Sequence, residues 1–439
     1  MVELLQHLIR NACVNDGTPE SGGEIRSAEV LQNFLEGSDL DLQRFEPLSG
    51  RASLVARMEG SDPEAPSLLL MGHTDVVPVT AANWRHDPFG GHVVDGELWG
   101  RGAIDMLNLT ASMAVAVKRF ARRGMRPRGT LIYLAVADEE ALGAHGAKWL
   151  LDNEPDAVLA DYVITESGGY RIPLGSASEP KLPLMAGEKG TYWSRIRVRG
   201  TPGHGSIPLR TDNALVKAAE VVRRIGEYMA PTVVHDGWRR FVDQAGLPAE
   251  IAEALRDPEQ VRAFVETNPD VGLARMVHAC THTTFAPTVL HGGTKTNVIP
   301  DTAELDVDIR TLPGQSPQDV RAMLSEALGD LADQVEIAPL SDDPASESPV
   351  DTLLYRSLQK VSASIVPASS TIPFMTTGGT DARFFRRAGA VAYGYGLFSD
   401  RISFQEFEAM FHGDDERIDL ESLDLVTRLW EGVVEDFLL

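Results

Sequence analysis

The segment Leu68-Leu-Leu-Met-Gly-His-Thr-Asp-Val-Val77 runs from an apolar stretch into a glycine and then into two polar residues, His73 and Asp75. The apolar run is typical of a buried strand, and residues two apart on a strand share a face. The strand ends of open α/β sheets are where functional sites lie. His73 and Asp75 therefore indicate a metal-binding imidazole whose second nitrogen is held by a carboxylate. The alternative is an ordinary turn with solvated polar side chains.

Around this segment, strand-like and helix-like runs alternate. Apolar runs predict strands, and apolar residues at helical spacing predict helices. The predicted strands are 53–58, 68–71, 130–136 and 162–165, and the predicted helices are 24–35, 109–123 and 144–151. Such alternation predicts an α/β domain with helices on both faces of the sheet.

The pattern changes at Glu188. Residues 190–199 alternate strictly between apolar and polar, as in a strand with one wet face. A predicted order of strand, helix, strand, strand, helix and strand follows, which is that of a split βαβ sandwich. Its later elements are a helix at 213–229, strands near 283–290 and 303–310, a helix at 317–331 and a strand at 334–338.

These changes predict two domains. Residues 1–187 and 342–439 form one α/β domain, and residues 188–341 are inserted into it. Within the insertion, residues 230–275 exceed a normal connection and have partly helical character, which predicts a further subdomain or lid.

Composition excludes several classes of protein. A net charge of −24 over 439 residues argues against a nucleic-acid partner. No stretch approaches the ~20 apolar residues of a membrane helix, and residues 1–10 are too short and too charged for a signal peptide. The two cysteines, Cys13 and Cys280, exclude a disulfide scaffold. The cytoplasm is therefore the expected location.

Further candidate ligands follow other strand-like runs. Asp105 follows a glycine-rich turn, Asp138-Glu-Glu140 and Glu166 each end a predicted strand, and His412 lies near the end of the chain. A buried cluster of acids requires cations to neutralise it. Histidine and carboxylate without thiolate suit Zn²⁺, Co²⁺ or Mn²⁺. The alternative is a solvated acidic rim, with His412 in a surface loop.

Six segments together match a known family in order and spacing, and the match extends over essentially the whole chain. They are His73-Thr-Asp75, Gly100-Arg-Gly-Ala-Ile-Asp105, Asp138-Glu-Glu140, Glu166, Gly203-His204 and His412. The chain resembles the M20 family of dinuclear metallopeptidases, which includes glutamate carboxypeptidase, aminoacylase, acetylornithine deacetylase and succinyl-diaminopimelate desuccinylase. The resemblance implies a zinc-exopeptidase-type α/β/α catalytic domain with an inserted ferredoxin-like α+β domain that is used for dimerisation.

The resemblance also implies a ligand set for two Zn²⁺ ions, for which Co²⁺ or Mn²⁺ could substitute. His73 and Glu166 would bind one ion, and Glu140 and His412 the other. Asp105 would bridge the two, and two ions so bridged can activate water and polarise a carbonyl.

Two further roles near the ions follow from the resemblance. Asp75 would orient His73, and Glu139 would be the general base for a water that bridges the two metals. Adjacent residues at a strand end point in different directions, so Glu140 can bind metal while Glu139 faces the water. The resemblance further implies a cis peptide bond after Asp105.

Substrate contacts are implied as well. His204 would stabilise the oxyanion, and in the related dimers it reaches into the partner's active site, which implies a homodimer. Asn297 would supply an amide donor, and Arg310 a bidentate contact to a carboxylate. Gly379 and Thr380 would line the pocket. The alternatives are a surface ion pair for Arg310 and a helix cap for Thr380.

The predicted function is hydrolysis of an amide next to a free carboxylate, in a small peptide or an N-acyl amino acid. The enzyme would be a carboxypeptidase, a dipeptidase or a deacylase. An inactive, metal-free binding protein of the same fold is the alternative, although no ligand and no general base is lost. A serine hydrolase would need a Gly-x-Ser-x-Gly elbow, which the sequence lacks. Met106-Leu-Asn108 departs from the Met-Lys-Gly of many relatives, so substrate specificity does not transfer directly.

Overall fold

The computed structural model describes residues 1–172, 174 and 179–439. The strands in these residues are β1 (Asp41–Leu48), β2 (Arg51–Met58), β3 (Leu68–His73), β4 (His92–Val94), β5 (Glu97–Trp99), β6 (Leu131–Val136), β7 (Tyr162–Thr165), β8 (Lys181–Glu188), β9 (Gly190–Thr191), β10 (Ser194–Arg199), β11 (Gly203–His204), β12 (Thr284–Gly292), β13 (Val298–Ile299), β14 (Thr302–Thr311), β15 (Val335–Pro339), β16 (Ser346–Glu347), β17 (Ser370–Thr376), β18 (Val391–Gly394) and β19 (Arg417–Asp419).

The helices of the same described residues lie between and around these strands. They are α1 (Val2–Arg10), α2 (Ile25–Leu35), α3 (Leu107–Arg122), α4 (Ala147–Asn153), α5 (Pro155–Val158), α6 (Ala214–Glu227), α7 (Asp236–Gln244), α8 (Ala249–Ala254), α9 (Pro258–Thr267), α10 (Val271–Thr281), α11 (Pro317–Leu328), α12 (Leu353–Ile365), α13 (Ala382–Arg387), α14 (Phe404–Met410) and α15 (Leu420–Leu438), with short 3-10 turns at Ala81–Asn83, Glu139–Ala141 and Gly329–Gln334. Within the described residues, no helix combines the length and the apolar character that crossing a membrane requires.

A large mixed sheet forms the centre of the molecule. Its strand order is β1-β2-β6-β3-β7-β18-β8-β16, and β17 also pairs with β8. The four neighbours β6, β3, β7 and β18 run parallel to one another. Their carboxyl ends therefore lie along one edge of the sheet, where sites of open α/β folds are found.

Side chains of the central strands alternate between two cores. Leu68 and Leu70 of β3 pack into a core with residues of α1, α2, α3, α12 and α15. Leu69 and Met71 pack into a second core, on the other face, with residues of α4 and α13. Because both faces are covered, the strand is apolar throughout. The predicted α/β class, with helices on both faces, is confirmed.

A second sheet is built only from strands between Gly190 and Pro339, in the order β12-β14-β10-β15. The helices α6 and α11 pack on one of its faces. Its chain order, β10-α6-β12-β14-α11-β15, is the predicted split βαβ order. The other face carries cross-strand ion pairs, among them Arg195 with Asp306 and Arg199 with Glu336. The alternation predicted from sequence reflects this division between an apolar and a charged face.

Two predicted elements differ from the structure. Residues 190–199 form two strands, because β9 pairs with the end of β14 whereas β10 pairs with β14 and β15 together. The helix predicted at 317–331 ends at Leu328. Gly329 follows with a φ of +56° and leads into a 3-10 turn, a backbone conformation that glycine adopts readily.

The stretch predicted as a subdomain contains four helices joined by short turns and extends beyond residue 275. It comprises α7 to α10, which end at Thr281. Its apolar side chains pack against β17, where the Phe241 and Phe374 rings lie 4.6 Å apart. The four helices therefore support the strand that leads into the glycine-rich loop at residue 378.

Candidate metal centre

Three adjacent parallel strands end in candidate ligands. His73 is the last residue of β3, Glu139 and Glu140 follow β6 in a 3-10 turn, and Glu166 follows β7. Since β3 lies between β6 and β7, these side chains meet at one edge of the sheet. Asp138, which precedes the turn, has a φ of +70° and so turns the chain sharply at the strand end.

Close packing of α3 fixes the end of β3. A Cβ atom on Gly72 would lie 2.4 Å from the Thr110 hydroxyl and 3.0 Å from the Thr110 Cα, so only glycine fits there. The same hydroxyl donates a hydrogen bond to the carbonyl of His73 over 2.7 Å. The glycine that ends the apolar run therefore allows the helix to hold the backbone of His73.

Asp105 and His412 reach the site through loops. Asp105 follows β5 and His412 precedes β19, and these strands pair through Trp99 and Arg417. The two loops therefore meet beside each other although they are about 300 residues apart in the chain. The Asp105–Met106 peptide bond is cis, as the resemblance implies.

The carboxylate of Asp105 lies between the two histidines. Its Oδ1 is 3.2 Å from Nε2 of His73, and its Oδ2 is 3.3 Å from Nε2 of His412. Glu140 Oε2 is 3.3 Å from the same atom of His412, and Glu166 Oε2 is 3.9 Å from Nε2 of His73. Two groups of ligand atoms therefore share one carboxylate.

These separations fit two cations. Zn–N and Zn–O bonds of about 2.0–2.2 Å in a tetrahedron place neighbouring ligand atoms about 3.4 Å apart. The contacts of 3.2–3.3 Å around Asp105 match that spacing. Glu140 Oε1 is also buried and has no hydrogen-bond partner among the described residues, as expected for an oxygen that faces a cation. The donor set suits Zn²⁺, Co²⁺ or Mn²⁺.

Glu139 and Glu140 face different parts of the site. A carboxylate oxygen of Glu139 lies within 4.8 Å of ligand atoms of His73 and Glu166. Glu140 instead joins a group with His73 and Asp105. The 3-10 turn thus places the two carboxylates in different parts of the site, as different roles for Glu139 and Glu140 require.

The carboxylates of the site repel one another when no cation is present, and this repulsion shifts their pKa values. Burial and the charge of Glu166 raise the pKa of Glu139 well above its ordinary value. Burial and the charge of Asp105 raise the pKa of Glu140 to about 7. The hydrogen bonds to Asp105 and Glu140 raise the pKa of His412 to about 10. Burial disfavours the charged form of Asp105, but hydrogen bonds from His412 and His73 outweigh it and lower its pKa.

Asp75 acts on the site in two ways. Its backbone carbonyl lies 2.9 Å from Nδ1 of His73, whereas its nearer carboxylate oxygen is 3.7 Å away. A carbonyl only accepts, so Nδ1 donates to it, and Nε2 faces Asp105, where it could bind a cation. The carboxylate accepts hydrogen bonds from the backbone N–H groups of Glu139 and Glu140, at 3.3 and 3.0 Å. It thus anchors the turn that carries both acids.

A buried network of polar side chains lies behind the turn, and no sequence motif points to it. Asn15 donates to Asp75 over 2.8 Å, and Arg51 lies 3.1 Å from Asp138 and 2.8 Å from Glu24. All five side chains are buried. Asn15 and Arg51 come from segments with no motif, so only the folded chain identifies them.

The predicted oxyanion residues lie together in the inserted segment. His204 in β11 pairs with Val298 in β13, and Gly205 N donates to the carbonyl of Asn297 over 2.9 Å. The His204 ring is exposed, and its Nδ1 lies 2.7 Å from the Ser206 hydroxyl.

Arg310 and Thr380 make contacts within the fold. The Arg310 guanidinium donates to both carboxylate oxygens of Asp308, at 2.7 and 3.1 Å, and to the Thr191 hydroxyl at 3.0 Å. Arg310 therefore forms an ion pair, which was the alternative to substrate binding considered from the sequence. The Thr380 hydroxyl is buried and donates to Glu188 over 3.0 Å, whereas Gly379 beside it is exposed.

Comparison with known proteins agrees with the metal-site geometry described above. Residues 69–436 match the model of peptidase family M20/M25/M40. An N-fatty-acyl-amino acid synthase/hydrolase of Xenopus tropicalis is 28% identical, over 99% of this chain and 85% of that protein. A succinyl-diaminopimelate desuccinylase of Rhodospirillum centenum is 26% identical, over 99% and 96%. The fold of an M20 family metallo-carboxypeptidase from Sulfolobus solfataricus superposes with a TM-score of 0.74, at 17% identity, over 99% of this chain and 98% of that chain.

The raised pKa values predict how the stability of the metal-free protein depends on pH. A folded-state pKa of about 7 for Glu140, against 4.5 ordinarily, means that folding retains a proton that the unfolded chain releases. Stability is therefore lost as the pH rises from 4.5 through 7. We expect Glu140→Gln to remove part of this loss, of order 1–3 kcal/mol.

Denaturant unfolding between pH 5 and 8, with chelator present, measures this effect. Glu431→Gln serves as the control, since Glu431 pairs with Arg119 at the surface, and it should keep the wild-type slope. Equal slopes for wild type and Glu140→Gln would contradict the prediction.

Proposed function

The chain belongs to peptidase family M20/M25/M40, and on that premise we propose that it is a two-cation hydrolase that cleaves an amide bond next to a free carboxylate. The observation that carries this proposal is Asp105, whose two oxygens each lie beside a different histidine. Relatives are named for N-fatty-acyl amino acids and for succinyl-diaminopimelate. The proposed substrates are accordingly small peptides or N-acyl amino acids.

The proposed ligands divide into two sets that share Asp105. His73 and Glu166 would hold one Zn²⁺, and Glu140 and His412 would hold the other. The separations of these side chains from Asp105 and from one another support this division. When bound, the two ions polarise the scissile carbonyl and make water more acidic. The buried carboxylates of Asp105, Glu140 and Glu166 match this positive charge.

Glu139 is the proposed general base. It removes a proton from the attacking water and delivers it to the nitrogen of the leaving amine as the amide C–N bond breaks. Its carboxylate lies near the ligand atoms of His73 and Glu166 without belonging to the group around Asp105 and Glu140. Positive charge at the ligand sites would offset the burial of Glu139 and its repulsion from Glu166, which otherwise disfavour its ionisation and raise its pKa.

This division of roles predicts different behaviour for two neighbouring variants. Glu139→Gln should retain two divalent ions per chain but lose activity by roughly 10²–10⁴-fold, because only the base is removed. Glu140→Gln should lose metal, because a ligand is removed. Elemental analysis and turnover of an N-acetyl amino acid, measured on the same samples, test both expectations. Variants that behave alike in the two assays would contradict the assignment.

The inserted segment, together with Gly379 of the glycine-rich loop outside it, supplies the proposed substrate contacts. His204 and Asn297, which the β11–β13 pairing holds together, stabilise the oxyanion, and Gly379 lines the pocket. Arg310 binds the free carboxylate. A guanidinium has five N–H donors, and the contacts of Arg310 with Asp308 and Thr191 use three of them. Two donors therefore remain for a substrate carboxylate.

Arg310→Lys tests this recognition. We expect KM to rise by about 10–100-fold for an N-acyl amino acid, because an ammonium group cannot form the planar fork. The corresponding amino-acid amide should be affected little. Arg195→Lys is the matched control, since Arg195 makes the same two-bond contact with Asp306 on β14. Equal losses on both substrates would assign Arg310 to structure.

We further propose a homodimer that forms through the inserted segment. β12 is an edge strand of the second sheet, and its Val289 and Leu290 are exposed. Near His204, the side chains of Ile207 and Leu209 are 70% and 86% exposed. Apolar side chains beside a free strand edge favour pairing with a second copy of the chain. In such a dimer, His204 completes the partner's active site.

Subunit mixing tests this arrangement. His204→Ala alone should lower kcat by ~10²–10³ and leave the metal content intact. When it is mixed with Glu139→Gln, each heterodimer regains one complete site, so an equal mixture should recover about a quarter of the wild-type activity. A mixture of Glu139→Gln and Glu140→Gln is the control and should not recover. A fully active monomer, or exchange without recovery, would contradict action in trans.

A further inference from the structure

Glu416 lies at the centre of the loop that carries Asp105. Its Oε1 accepts hydrogen bonds from the backbone N–H groups of Ile104 and Asp105, at 2.7 and 2.9 Å. Its Oε2 accepts from Gly102 N at 2.9 Å and from Nη1 of Arg101 at 2.8 Å. The carboxylate is fully buried, so the loop is wrapped around a single charged group.

Arg101 extends this contact to the second loop. Its Nη2 donates to the carbonyl of Gly413, the residue after His412, over 2.9 Å. Arg101 is 2% exposed, and the Trp84 ring lies 5.3 Å from its guanidinium carbon. Water is thereby excluded from the pair. We call the Arg101–Glu416 pair, with its contacts to residues 102–105 and to Gly413, the clasp.

We propose that the clasp positions Asp105 and His412 for metal binding, so that Arg101 and Glu416 set the affinity of the site for its cations, and most strongly for the cation beside Glu140 and His412. Neither side chain contacts substrate, and both act through the two loops. The inference rests on the proposed two-cation function. Arg101 lies within the motif that ends at Asp105, but Glu416 belongs to no motif. It is the third acid of Asp414-Asp-Glu416.

The His412 side of the site has few other means of support. The His412 side chain is 59% exposed, so packing does not fix it, and its backbone has a φ of +55°. In contrast, His73 ends a central strand and Glu166 follows the neighbouring one. Ligand geometry must hold within about 0.5 Å for full affinity. The clasp supplies that precision where the sheet does not.

This contrast predicts an unequal effect on the two ions. Without the clasp, the cation held by Glu140 and His412 should bind more weakly, by about 10–100-fold, as is common when partners behind the ligands are removed. The cation held by His73 and Glu166 depends on the clasp through Asp105 alone, because the sheet fixes its other two ligands. Its affinity should therefore fall by a smaller factor, whereas a general loss of folding would weaken the binding of both ions equally.

The experiment titrates Zn²⁺ into metal-free protein against a chromophoric chelator, for wild type, Glu416→Gln and Arg101→Lys. Arg101→Lys is the milder variant, because lysine retains the charge beside Glu416 but cannot reach Gly413 at the same time. Urea unfolding of each metal-free protein is measured in parallel. We expect both variants to bind one Zn²⁺ about 10–100-fold more weakly and the other with a clearly smaller loss of affinity.

Glu188→Gln is the matched control. Glu188 is equally buried and also accepts four hydrogen bonds, from Thr380 N, the Thr380 and Ser346 hydroxyls and Arg386. It should lower the stability of the metal-free protein without changing either Zn²⁺ affinity. Affinities that stay at the wild-type value in both clasp variants, or fall only as much as in Glu188→Gln, would overturn the clasp. A wild-type chain that binds fewer than two ions would overturn the proposed function itself.

Discussion

The position of Asp105 between two imidazoles is the constraint on which the site depends. Each of its oxygens lies 3.2–3.3 Å from a different histidine, and two further acids, Glu140 and Glu166, approach the same histidines. Buried carboxylates this close repel one another strongly unless cations lie between them. The arrangement is therefore costly in the metal-free chain and suited to a chain that holds two ions. The proposed hydrolysis of an amide would depend on these ions together with Glu139 beside them.

The proposed ligands are held in place by different parts of the fold. His73 and Glu166 are fixed by parallel strands that bury both faces, where a shift would disturb two cores at once. Asp105 and His412 lie in loops, and their separation depends on the β5–β19 pairing and on the clasp. A buried ion pair such as Arg101–Glu416 contributes little net stability. Its value here lies in the fixed geometry that it imposes on both loops.

Much of the fold could be predicted from the sequence, because its apolar runs and alternating stretches follow the two kinds of sheet. The meeting of His73 and Glu166 could be predicted because each ends one of two neighbouring parallel strands. The meeting of Asp105 and His412 could be predicted only from the resemblance of the motifs to those of a known family. The break between β9 and β10 could not be predicted, because it depends on which strands pair. The buried contacts of Glu416 could not be predicted either, because they depend on the tertiary structure. Three acids stand in a row, and only the tertiary contacts decide which one is buried.

Crystals grown with Zn²⁺, with anomalous scattering recorded at the zinc edge, would reveal directly how many ions the site holds and where they lie. We expect two peaks per chain, about 3.5–4 Å apart. One peak should lie beside His73 and Glu166 and the other beside Glu140 and His412, with Asp105 in contact with both. A single peak at full occupancy, or peaks that do not contact Asp105, would contradict the proposed two-cation site.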